Sequence, residues 1–155
     1  MGTRDNLNKR EMYIKKVVTQ DKLESIQKRI RTIIKSSREL GLGNVKDIFI
    51  SDFKDDNGRR VYDDLWLFFD NYWLEARGFE TKYDYTIIPL DSAWVSHINI
   101  KKKEYDLKEA QDTSIMSLYV YLNIDLLLTL KATEENCNYL KNITLKYFMK
   151  HFKPK

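Results

Sequence analysis

This sequence predicts an α+β chain, with helices at both ends and seven strand-length runs between them. Three observations carry that expectation. Isoleucines recur at helical spacing between residues 21 and 40. The stretch Asp63 to Gly78, DDLWLFFDNYWLEARG, sets two aromatic-rich runs on either side of Asp70-Asn71, the pattern of a β-hairpin with an Asx-type turn. Thr133-Glu134-Glu135 then opens a final amphipathic segment.

Residues 5–18 read as a helix, with Leu7, Ile14 and Val18 on one side. In residues 21–40, Leu23, Ile26, Ile30, Ile33 and Ile34 form one stripe of a 3.6-residue period. Asp21 and Glu24 have capping-box spacing, and Gly41 and Gly43 stop the helix. Its other face carries Lys22, Lys28, Arg29, Lys35 and Arg38. Asp47–Phe53 reads as a strand, and Asp55-Asp56-Asn57-Gly58 as a turn. Val61–Phe69 and Tyr72–Phe79 form the first hairpin. Tyr85–Leu90 contains Pro89, which places it at a sheet edge or bend. Trp94–Lys102 alternates as a half-buried strand does. Ser114–Leu122 and Asp125–Ala132 form a second hairpin around Asn123.

The last helix is capped by Thr133, with Glu134 and Glu135 in its first turn and Lys146 and Lys150 in its last, matching the macrodipole. Cys137, Leu140, Ile143, Thr144, Tyr147 and His151 make one face. Leu145, Met149 and Phe152 make a second apolar stripe, which implies a further partner surface.

The 155 residues are 43% hydrophobic and 32% charged, a globular balance rather than a disordered one. The longest nearly apolar run, Leu118 to Leu130, is broken by Asn123 and Asp125 and is too short to span a bilayer as a helix. The first residues carry no apolar secretory segment, and Asn6 does not fit a myristoylation signal. A single cysteine, Cys137, fits a reducing cytoplasm. Charge is uneven. Residues 1–46 hold 12 Lys and Arg against 5 Asp and Glu, a net of +7. Residues 47–112 have a net of −6, from 9 against 15, and residues 113–155 a net of +3, from 6 against 3.

The strand order and texture from Asp47 to Lys150 resemble bacterial pleckstrin-homology-like (PH-like) domains. The matching features are a strand like Ile48–Phe53 and a hairpin like LWLFFDNYWLEA. They continue with a strand ending Ile88-Pro89-Leu90, one like Trp94–Ile100, and a last hairpin leading into a helix. The resemblance covers about two thirds of the chain and rests on apolar pattern. It implies a seven-stranded antiparallel barrel or sandwich over residues 47–152, capped by the C-terminal helix. Residues 1–46 would form an N-terminal helical extension. It implies binding rather than catalysis: a protein partner or self-association in a homo-oligomer, with Leu145, Met149 and Phe152 as the contact stripe. PH domains that bind phosphoinositides use basic residues after the first strand. Lys54, Arg59 and Arg60 occupy that stretch here, interrupted by Asp55 and Asp56, whose carboxylates repel phosphate. Tyr147 or Phe148 stands where eukaryotic members carry a Trp.

Other chemistry has less support in the sequence. His97 and His151 have no neighbour at metal-ligand spacing, and no metal or cofactor is expected. Gly41-Leu42-Gly43 lacks the rest of a phosphate loop. Asp63, Asp64, Asp70 and Glu75 with Arg77 form the one enzyme-like set, with Asp64 and Glu75 the candidates for a metal-dependent nuclease. Anionic lipid or nucleic acid is the alternative partner, through the helix at 21–40, through Lys54, Arg59 and Arg60, or through Lys101-Lys102-Lys103.

Overall fold

In the computed structural model, residues 2–82, 84–101, 115–122 and 126–149 are described. The elements run α1 (Gly2–Val17), α2 (Gln20–Glu39), β1 (Asp47–Lys54), β2 (Arg60–Phe68), β3 (Tyr72–Arg77) and β4 (Tyr85–Pro89). A 3-10 turn (Leu90–Ser92) leads to β5 (Ala93–Lys101), β6 (Ile115–Leu122), β7 (Leu126–Thr133) and α3 (Asn136–Ile143). A π-helical turn (Thr144–Phe148) extends α3. The chain divides into two compact units, Met1–Ile50 with Tyr62–Ile88 and Ser51–Val61 with Pro89–Lys155. No helix among the described residues is long and apolar enough to cross a membrane.

In the first unit, α1 and α2 pack with the sheet residues instead of standing apart. Ile26, Ile30, Ile33 and Ile34 are buried as their spacing predicts, and Tyr13, Ile14 and Val17 of α1 are buried with them. Two tyrosines tie the helices to the strands. The Ile50 N–H donates to Tyr13 Oη at 2.8 Å. Tyr62 Oη donates to the Val17 carbonyl at 2.8 Å and accepts the Thr19 N–H at 2.9 Å. That last bond helps hold Thr19 extended, so Thr19 and not Asp21 occupies the N-cap of α2. Asp21 falls in the first turn instead, where a hydrogen bond with Thr19 holds its carboxyl below the ordinary range. Gly41 ends the helix at φ +77°, with its N–H on Arg38 O at 2.9 Å and that of Leu42 on Ser37 O. This is the left-handed stop that glycine adopts without steric cost.

The first sheet has the order β1-β2-β3-β4, so the strand with Pro89 lies at an edge, as expected. In the hairpin Phe68 pairs with Trp73, and the Phe69 N–H reaches Tyr72 O at 2.9 Å, closing the turn over Asp70-Asn71. Alternation puts Tyr62, Asp64, Trp66 and Phe68 of β2 on one face with Trp73, Glu75 and Arg77 of β3. Trp66 and Trp73 stack at 5.0 Å between ring centroids, an aromatic pair worth about 0.5–1.5 kcal/mol beyond its burial.

The second unit is built on a three-stranded antiparallel sheet, β5-β6-β7. Met116, Leu118, Val120 and Leu122 alternate inward on β6, with Leu128, Leu130 and Ala132 on β7. A bulge interrupts the ladder between Val95 and His97. α3 packs on β6 and β7.

The strands therefore form sheets of four and three, not one closed barrel. The physical reason is visible along β7. The Lys131 N–H donates to Ser51 Oγ at 2.8 Å, and Ser51 Oγ donates back to Lys131 O at 3.2 Å. The Thr133 N–H donates to Asp52 Oδ1 at 3.1 Å. Side chains of β1 occupy backbone groups that a continuous ladder would need.

Candidate functional site

The densest polar chemistry of the second unit centres on Asp52. This residue sits in the apolar-rich strand DIFISDFK and is completely buried. Its carboxylate accepts from the Thr133 N–H, the Thr133 hydroxyl, Asn136 Nδ2 at 2.7 Å and Arg60 Nε at 2.9 Å. The preceding turn aims Arg60. Asp55 Oδ1 accepts the N–H groups of Asn57 and Arg59, both at 2.9 Å, and Gly58 takes φ +77°. Arg60 Nη1 reaches Glu135 at 3.0 Å and Nη2 donates to Thr133 O at 3.2 Å. Burial works against the guanidinium charge, but Asp52 and Glu135 outweigh it and hold its pKa above the ordinary value. A carboxylate with four donors and an arginine with three acceptors are fixed in place, which suits a joint better than a reacting centre.

This cluster changes several sequence expectations. Thr133 does not cap α3: its hydroxyl is drawn to Asp52, and the helix begins at Asn136 after a turn in which Glu134 takes φ +53°. Glu134 pairs with Lys54, and Glu135 with Arg60. Of the three candidate anion-binding cations, Lys54 and Arg60 are thus engaged with carboxylates of the same chain, while Arg59 is exposed. A phosphate at Lys54 or Arg60 would have to displace those partners.

The carboxylates of the first hairpin are only partly gathered. Asp64 and Glu75 share a face, Asp64 opposite Arg77 and Glu75 opposite Trp66. Asp64 Oδ1 accepts the Gly78 N–H at 3.3 Å, and Glu75 pairs with Arg77 at 3.4 Å. Burial pushes the Glu75 carboxyl above its ordinary range, and Arg77 only partly offsets this. Asp70 stands at the turn, paired with Lys46 at 2.9 Å. Among the described residues no three His, Cys, Asp or Glu side chains gather to hold a metal ion.

Of the two faces expected for the C-terminal helix, the residues up to Met149 are described. Cys137, Leu140, Ile143, Thr144 and Tyr147 are buried. In the π turn the Met149 N–H bonds back to Thr144 O, and this wider turn lets Phe148 be buried beside Tyr147. Leu145 and Met149 point outward, 69% and 39% exposed. His151 and Phe152 lie outside the described residues, as do Lys102, Lys103 and Lys150, and nothing is placed by the structure for them.

Ser51 and Asp52 are the residues that sequence reading missed. They sit in a run that reads only as strand, and their partners are 80 or more positions away. A polar pair inside an apolar strand was the available signal. No family model, curated protein or solved structure matches this chain.

Proposed function

We propose that the chain is a non-enzymatic, PH-like binding module that docks a protein on the outer side of its C-terminal helix. The observation that carries this reading is the exposure of Leu145 and Met149, four residues apart, on a helical segment whose other side is buried. Two large apolar side chains one turn apart are the usual anchors of a helix-to-protein contact. The four-plus-three strand order followed by a helix supports the PH-like reading. The engagement of Lys54 and Arg60 by carboxylates favours a protein ligand over a lipid headgroup at the first inter-strand loop. A second copy of the chain is one form such a partner can take.

The test is a double substitution, Leu145→Lys with Met149→Glu, read by affinity capture and by light scattering across concentration. Both side chains are exposed, so stability should stay within about 0.5 kcal/mol. The expected result is loss of at least about tenfold in partner retention or self-association. Unchanged retention and mass would assign the contact elsewhere.

A further inference from the structure

The outer side of α2 carries a row of cations that neither the docking helix nor the Asp52 cluster uses. Lys28, Arg31, Lys35 and Arg38 are all exposed, while Ile26, Ile30, Ile33 and Ile34 are buried on the opposite side. Their spacings of three, four and three residues place them on one stripe, about 15 Å long at a rise of ~1.5 Å per residue. Arg31 comes within 4.0 Å of Glu11, yet its side chain stays 65% exposed. Glu24 stands one turn before Lys28, and Glu39 directly follows Arg38. On α1, Lys9, Lys15 and Lys16 are exposed as well. Burial, more than the nearby Arg38, lowers the pKa of Arg10 on α1, and Glu11 opposes it.

Neighbouring like charges three or four positions apart destabilise a helix in isolation. A polyanion lying along the stripe relieves that repulsion. The chemistry selects among polyanions. No exposed apolar side chain interrupts the stripe between Lys28 and Arg38; the exposed Met12 of α1 and Leu40 past the end of α2 lie outside it, so the stripe itself inserts nothing beneath lipid headgroups. Two of the four cations are arginines, whose planar fork binds phosphate through paired hydrogen bonds. We propose that this stripe binds the phosphodiester backbone of a nucleic acid without reading its sequence, independently of the docking helix.

The full chain is titrated by fluorescence anisotropy against a short labelled DNA duplex of mixed sequence and against a single-stranded RNA. Four phosphate contacts give a log–log salt slope of about −3.6 on the duplex and about −2.8 on the single strand. Lys35→Glu with Arg38→Glu should weaken binding at least about tenfold at low salt, while Leu145→Lys with Met149→Glu leaves it unchanged. Lys35→Ala with Arg38→Ala, which keeps helix propensity, should show a smaller loss in the same direction. Absence of binding to both probes at low salt, or parental affinity in the charge-reversed variant, overturns the proposal. Retention on phosphatidylserine vesicles without binding to either nucleic acid overturns it too, in favour of a lipid surface.

Discussion

Asp52 and Glu75 are both buried acids in strands, and they have opposite consequences. Asp52 has a full set of donors. Removing it as Asp52→Ala leaves Arg60, only 11% exposed at its side chain, beside an empty space, and takes a partner from the Thr133 N–H and the Asn136 amide. Breaking a buried pair from one side should cost about 3–5 kcal/mol, measured by urea denaturation. Adding Arg60→Met to that variant should recover part of the loss, because the buried guanidinium, then short of one of its two carboxylates, is gone. Glu75 has one partner, Arg77, and burial raises its folded-state pKa above the unfolded value. The native state then holds the proton more tightly than the unfolded chain. Its contribution is fully present below the ordinary Glu pKa and is lost as pH rises through the raised one. The stability of the parent relative to Glu75→Gln should therefore fall as pH increases across that window, read from denaturant midpoints. A difference that is flat with pH would mean that burial does not perturb this acid.

At the scale of elements, what the sequence made legible was periodicity. The isoleucines of α2, the alternation of β6, the Asp70-Asn71 turn and the edge position of the Pro89 strand all follow from spacing and local backbone preference. Partners were not legible. Thr133 has the chemistry of a cap, yet a carboxylate 81 positions earlier takes its hydroxyl. Arg60 has the chemistry of a phosphate ligand, yet Asp52 and Glu135 hold it. Local rules rank what a residue prefers, and tertiary contacts decide which preference is met. Leu145 and Met149 could be read because exposure of a second stripe needs only the helical period. Between helices and strands, the Tyr62 hydroxyl is the shared fastener, serving Val17 and Thr19 together. Tyr62→Phe should cost about 1–3 kcal/mol, since it removes the hydroxyl's bonds to the Val17 carbonyl and the Thr19 N–H. Hydrogen exchange at Thr19 should accelerate; unchanged protection there would show that another group replaces the hydroxyl.

At the scale of the whole molecule, the chain divides into two units that are each discontinuous in sequence. The helices belong to the unit that holds Tyr62–Ile88, and β1 and β2 each run from one unit into the other. A fragment beginning at Asp47 would lack the buried Tyr13, Ile14, Ile30 and Ile33, and would remove the Tyr13 bond to the Ile50 N–H and the Val17 and Thr19 partners of Tyr62. It should be less soluble than the full chain and melt at least about 10 °C lower, which corresponds to about 1–3 kcal/mol at the 4–8 °C expected per kcal/mol in a small domain. A soluble fragment with the parental melting temperature would show that the extension is separable. The charge layout follows the same division of labour along the chain, with a basic helical segment preceding an acidic stretch of strands.

The bonds from Ser51 and Asp52 to β7 have one more consequence. A strand at the margin of a sheet ordinarily offers its free amides to any passing extended chain, and that is how folded proteins nucleate intermolecular stacking. Here the outward amides of Lys131 and Thr133 already have partners from within the same polypeptide. An incoming strand would have to displace the Ser51 hydroxyl at Lys131, and at Thr133 it would have to expel a buried carboxylate from its arginine. The pair thus leaves fewer free amides for an incoming chain along a margin rich in Leu and Thr.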